Sequence, residues 1–336
     1  MAKKNKKKIA KRRAKSNQIK SRKKKLRLVK SRREPDVQVM YRPGIADMGA
    51  PPGFRAINMS QAVLEYGKPL EQYVKMDSKD GLNISMQSAM LLWNYANSVQ
   101  RGEEDEKEGK DIIDILKRTF KLEYSEAHDL VKRMVERFDY LFPLDKQPKE
   151  RFGPFMFIRK EISTIIRPFD YSTLKPSNEI IPPDEKDREL IERINKLDSY
   201  VKAEADYEEY ENLLLELKEE CMERFKKWLA DKRLSEEIIS LYDCINIYFD
   251  FIYGYMHDDI ALLKSVPSIY FEEFFKDFLL RKMYVEPNEY VYWPPALKLF
   301  YKFLHEKNYL ENPDNFIKEI DYIEFHFIEV LRKQFT

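Results

Sequence analysis

Residues 267–283 read PSIYFEEFFKDFLLRKM. Phe271, Phe274, Phe275 and Phe278 recur at steps of three and four, the spacing that stacks side chains on one face of an α-helix. Pro267 opens the run, where the missing N–H of a first-turn proline costs nothing. The same signs recur on both sides. Ser235 precedes Glu236 and Glu237, an N-cap followed by carboxylates that suit the positive end of a helix. Pro294 and Pro313 sit at further first-turn positions. Helices are therefore predicted over 218–232, 235–255, 267–283, 294–307 and 313–333. Their core faces are Ile238, Leu241 and Ile245, the phenylalanines above, and Leu297, Phe300, Tyr301 and Leu304. At that spacing the aromatic residues read as packing rather than as a base-stacking platform.

Composition agrees with a mainly α, multi-helix fold. The chain has 336 residues but only nine glycines, fewer than the turns of an all-β protein of that length demand. Its length suits two or three domains. The longest apolar stretch, residues 241–256, is broken by Asp243, Asn246 and Asp250, so no membrane span is expected. The N-terminus lacks the apolar segment of a secretory signal. Two cysteines without a CxxC pair, Cys221 and Cys244, read as reduced thiols, and the expected location is the cytoplasm.

Upstream the pattern is looser. Residues 34–57 hold Pro35, Pro43, Gly44, Gly49, Pro51, Pro52 and Gly53 and read as an irregular linker. A helical domain is expected over 58–183. Ser60 is read as the N-cap of its first helix, Leu82 to Val99 as a buried or nearly buried segment, and Ser125 as the cap of a later helix. Within it, 155–171 is ambiguous. Ile158, Ile162, Ile165 and Ile166 fit a helix, whereas Phe155, Phe157 and the β-branched run at 163–166 fit a small β-hairpin, the reading slightly preferred. Residues 184–217 form a charged stretch with Leu190, Ile191, Ile194, Leu197, Val201, Leu213, Leu214 and Leu217 at helical spacing, read as a connecting helix or a coiled-coil hairpin. Residues 218–336 form the C-terminal helical bundle.

Charge is divided unevenly. Of 60 Lys and Arg residues, 18 fall in residues 1–33, where there is no acid. They are Lys3, Lys4, Lys6, Lys7, Lys8, Lys11, Arg12, Arg13, Lys15, Lys20, Arg22, Lys23, Lys24, Lys25, Arg27, Lys30, Arg32 and Arg33. The other 303 residues carry 42 basic and 58 acidic side chains, a net charge of −16. Such an arm buries too little apolar surface to offset chain entropy and its charges repel, so it is expected to be disordered when free. Its natural partners are polyanions, which relieve the repulsion and release counterions. DNA and RNA are the expected nucleic-acid partners. Anionic lipid fits less well, because the arm has no aromatic residue to insert. Phosphate contacts carry no sequence information, so binding is expected to be non-specific. A localisation or solubility tail is the competing reading, as is an arm that folds back on the acidic body.

Signs of chemistry are few. Four histidines are present, with His-Asp doublets at His128–Asp129 and at His257–Asp258–Asp259. A metal-dependent phosphohydrolase needs such a doublet joined by a further histidine and acid on neighbouring helices, and the spacing here is poor. Pro183–Asp184–Glu185–Lys186 spells a nuclease-like string, yet acids that open a helix have a structural task. Gly-rich phosphate loops, GxSxG and HExxH are absent. No cofactor, metal site or catalytic residue is expected from the sequence.

The segment RFKKWLADKRLSEEIISLYDCINIYFDFI, residues 224–252, resembles the F-x-x-W-L…L-S-x-x-T-I pattern of the SAM-like core-binding domain of phage integrases and other tyrosine recombinases. FFKDFLLRKMY and PPALKLFYKFLHEKNYLENP extend the likeness over residues 218–336. It implies a helical bundle that accompanies nucleic acid. Ile238–Ile239 stand where that family has Thr-Ile, and its catalytic Arg, Lys, His and Tyr have no counterpart, so recombination is not expected. The module is also acidic, with 16 Lys and Arg against 22 Asp and Glu, unlike a DNA clamp. PPGFRAINMSQAVLEYGKPL and SMQSAMLLWNYA are similar to uncharacterised bacterial proteins that join such a module to a SecA-type zinc-binding tail, which is absent here. The sequence therefore points to a non-enzymatic, nucleic-acid-associated protein. A protein–protein adaptor and a metal-dependent nuclease or phosphohydrolase are the alternatives.

Overall fold

The computed structural model describes residues 44–74, 78–148, 155–161, 164–256 and 261–336. The fold is mainly α-helical, with one two-stranded antiparallel sheet. Strand β1 is Phe54–Asn58 and strand β2 is Phe155–Arg159. Helix α1 is Met59–Gly67, α2 Lys79–Arg101, α3 Glu106–Phe120 and α4 Tyr124–Leu141. Beyond β2 come α5, Glu185–Lys202, and α6, Glu211–Asp231. Helix α7 starts at Glu236–Ile239, tightens over Ser240–Asp243, resumes at Cys244–Phe249 and widens into a π turn at Asp250–Tyr255. Helix α8 runs through Ser268–Glu273, a π turn at Phe274–Phe278 and Leu279–Lys282. Helices α9, Trp293–Glu306, and α10, Asp314–Phe335, follow.

The strand expected within 155–171 is present as β2. Its partner is β1, from the segment read as linker, and not the run at 164–166, which is irregular. The register pairs Ala56 with Phe157 and Ile57 with Met156. Because successive side chains of a strand point to opposite faces, this ribbon serves two cores. Phe54, Ala56 and Phe157 join the larger core, built mainly from α5 to α10, while Ile57 and Ile158 join a smaller one built from α1 to α4. The expected face of α8 is buried: Phe271, Phe274, Phe275 and Phe278 pack with Tyr248, Phe251, Trp293 and Phe327.

Helix caps were partly misplaced by sequence. Ser235 caps α7 as expected, accepting the Ile238 N–H. Helix α1 is capped by Asn58, which accepts the Gln61 N–H, so Ser60 lies inside it. Glu123 caps α4 through a capping box with Glu126, so Ser125 is likewise internal. Helix α2 is not buried all round, since Leu82, Met86 and Met90 form an exposed stripe.

Buried charge ties the larger core together. Asp187 sits between Arg224 at 2.6 Å and Lys307 at 2.9 Å. Glu306 accepts from Trp228 Nε1 at 2.7 Å and from Lys232 at 2.6 Å. Lys298 reaches Glu324 and the Tyr171 hydroxyl, both at 2.6 Å. Lys232, Glu306 and Lys307 also bond the backbone of Glu179, Ile181 and Pro182, which with Lys298–Tyr171 pins the segment at 171–183 to the ends of α6 and α9. Desolvation makes such charges costly alone and tolerable only when paired.

Candidate ligand-binding cavity

The 18 basic residues of the arm, with which the sequence places nucleic-acid binding, lie outside the described residues, as do His257, Asp258 and Asp259. Other sequence candidates are described. His128 and Asp129 lie 3.7 Å apart on an exposed face of α4. Asp184 caps α5 and pairs with Arg224, so the nuclease-like string forms a helix start. His305 bonds the Leu310 carbonyl, and His326 rests between Tyr322 and Phe325. Both cysteines are free and buried, and burial raises both thiols above their ordinary value, away from nucleophilic use. No group of three metal-binding side chains occurs among the described residues.

The structure instead shows a cavity of about 600 Å³ beside the ribbon, with a size suited to a small molecule. Its inner wall begins with Arg55, carried into place by β1. The guanidinium donates to Glu65 of α1 at 2.8 Å and lies over the Phe335 ring at 5.1 Å. Cap and cation share one strand, since Asn58 ends β1 and starts α1 only three residues after Arg55. Glu65 also meets Lys68 at 3.1 Å. Two cations thus share one carboxylate. A third cation, Lys160, follows β2 and donates to the carbonyls of Lys333 and Thr336 at 2.9 and 2.7 Å. Burial, and then Arg55, lowers its affinity for a proton. Burial also lowers that of Arg55, with Glu65 opposing the shift.

The link from α8 to α9 also lines the cavity, with the Tyr284 ring 5.6 Å from the Lys68 ammonium. Tyr284 and Tyr290 are phenols pushed up to about 12 by burial, so both keep their protons at neutral pH. Glu286 and Glu289 line the cavity from exposed positions and make no ion pair among the described residues. Gln334, near the end of α10, is buried, lines the cavity, and has a side-chain nitrogen without a hydrogen-bond partner among the described residues. Residues 164–167 strap this corner shut. Thr164 donates to the Phe335 carbonyl at 2.8 Å, and Asn288 donates to Ile165 at 3.2 Å.

Sequence reasoning did not single out Arg55, Lys160 or Gln334. One arginine inside a Pro- and Gly-rich segment gives no signal; the long-range pairing of β1 with β2 brings Arg55 near Lys160, and Lys160 is in turn bonded to the end of α10 that carries Gln334. Comparisons with family models, curated proteins and solved structures found no match to this chain.

Proposed function

We propose that the chain is a non-enzymatic, cytoplasmic protein that associates with nucleic acid, RNA or DNA, through residues 1–33. The observation that carries this reading is the division of charge, 18 basic and no acidic side chains in the arm against a net −16 in the remainder. The arm supplies non-specific affinity for phosphates and the body supplies positioning or partner contacts.

Geometry in the body supports the division. Many of its cations are consumed internally: Lys232, Lys298 and Lys307 are buried in ion pairs, and Arg137, Arg193 and Arg224 are held by carboxylates on neighbouring elements. Cations so engaged are poorly placed to track a phosphate backbone. The likeness of residues 224–252 to recombinase core-binding modules agrees with a nucleic-acid setting, and the acidity of that bundle argues against its being the clamp. The test is binding of labelled single-stranded RNA and duplex DNA by the full chain and by residues 34–336. Binding by the full chain alone is expected.

A second reading, an adaptor with the arm as a localisation or solubility tail, is favoured by the exposed Leu82, Met86 and Met90 stripe on α2, which has the spacing of a helix-docking face. It predicts that a protein partner is retained after removal of the arm and lost on changing Met86 and Met90 to Lys.

A further inference from the structure

We infer that the exposed face of α2 joins two copies of this chain, helix against antiparallel helix about a two-fold axis. The inference concerns the body and does not rest on what the arm binds.

Residues 81–100 contain no Asp, Glu, Lys or Arg, in a chain that is 35% charged. That neutrality is why the segment reads as buried in the sequence. The structure covers only one side of it, where Ala89, Leu92, Trp93 and Ala96 join the smaller core. The other side carries Leu82, Met86 and Met90, which are 42, 39 and 54% exposed, beside exposed Asn83, Gln87 and Asn94. A helix face meant for water is normally charged, whereas the centre of a protein interface is poor in charge and rich in methionine. Exposed Tyr322 and Phe325 on α10 show the contrast, since exposed Lys318, Asp321, Glu329 and Arg332 surround them.

The same chemistry names the partner. Residues 34–336 carry a net charge of −16, so two bodies repel where their charged surfaces meet. A charge-free face lets them touch. Each group on it also complements its own kind: methionine packs adaptably against methionine, and a carboxamide both donates and accepts. A foreign partner selected by charge would find nothing to pair with. Two-fold symmetry sets one patch against the same patch. Antiparallel helices then lay Met86 on the partner's Met90 and keep Lys79 away from its own copy, which parallel helices would not. A contact centred on one helix is small beside the roughly 800 Å² per partner of a standard interface, so micromolar association is expected.

The test is sedimentation equilibrium of nuclease-treated, full-length protein at about 1–100 μM, in about 500 mM salt to screen the arm. A reversible monomer–dimer equilibrium is expected. Met86→Lys and Met90→Glu should each weaken it about tenfold or more, because each buries an unpaired charge. Mixing these two variants should restore a dimer, since the new lysine then faces the new glutamate. Tyr322→Ser/Phe325→Ser on α10 should leave association unchanged. All four positions are exposed, and thermal melting checks that the fold is kept. A monomer at every concentration overturns the inference and leaves both readings of function standing. A dimer indifferent to both single substitutions, or one that mixing does not restore, overturns it as well.

Discussion

Gln61, buried near the start of α1, donates its side-chain amide to the carbonyl oxygen of Met283 at 2.7 Å. The same nitrogen donates to Leu280 at 2.9 Å, and Asn58 Nδ2 donates to Arg281. A helix of the smaller core thereby caps the end of α8 in the larger one. Terminal carbonyls of a helix need such partners.

Gln61→Leu removes that donor from the Leu280 carbonyl and leaves Met283, among the described residues, only the Tyr290 hydroxyl. The expected cost is about 2–3 kcal/mol, read as a lower urea midpoint. Retained stability would show that water replaces the amide.

Asp187 is 1% exposed and faces Arg224 and Lys307, the latter 5% exposed. Removing one partner strands the others. Asp187→Ala is expected to cost about 3–5 kcal/mol, and adding Lys307→Met to recover part of it. A double-mutant cycle measures this, and strictly additive losses would contradict the coupling.

Asp184 has a depressed affinity for protons, caused first by its hydrogen bond from Arg224 and then by the Asp187 N–H it caps. A carboxylate depressed in the folded state stabilises fully above its ordinary value of 3.8, and the contribution disappears as pH falls below that toward the folded value. Asp184→Asn keeps the cap and removes the charge. The variant should lose stability at neutral pH yet decline less steeply than the parent below about pH 4. Urea midpoints across a pH series report the difference, and parallel curves would argue against it.

Gly67 ends α1 against α2, where an added Cβ would meet the Ala89 Cβ at 2.8 Å. Gly67→Ala should cost about 1–3 kcal/mol through overpacking. Ala89→Gly in the same chain should restore part of it. Thermal melting of the two variants checks both statements.

The helices were legible because burial imposes a 3.6-residue period that survives a highly charged composition. The Phe271 to Phe278 face and the Ser235 cap could be read directly. The ribbon was not. Five residues beside Pro51, Pro52 and Gly53 look like linker, and β1 finds its partner a hundred residues away with no local turn to mark it. The cavity depends on that pairing and was hidden with it. The cap at Glu123 was missed because Ser125 is the better cap residue by preference, and that at Asn58 because Asn and Ser rank equally as caps, while tertiary contacts of Asn58 and the reciprocal bonds of Glu126 set the true start.

The most direct test of the central claim is the salt dependence of polynucleotide affinity, measured by fluorescence anisotropy for the intact chain and for residues 34–336. If the arm lays about 6–10 cations on phosphates, affinity should drop roughly a thousandfold or more between about 50 and 200 mM salt. Residues 34–336 should show no binding at either. Equal binding by the truncated chain, or a flat salt response in the intact one, would contradict the account.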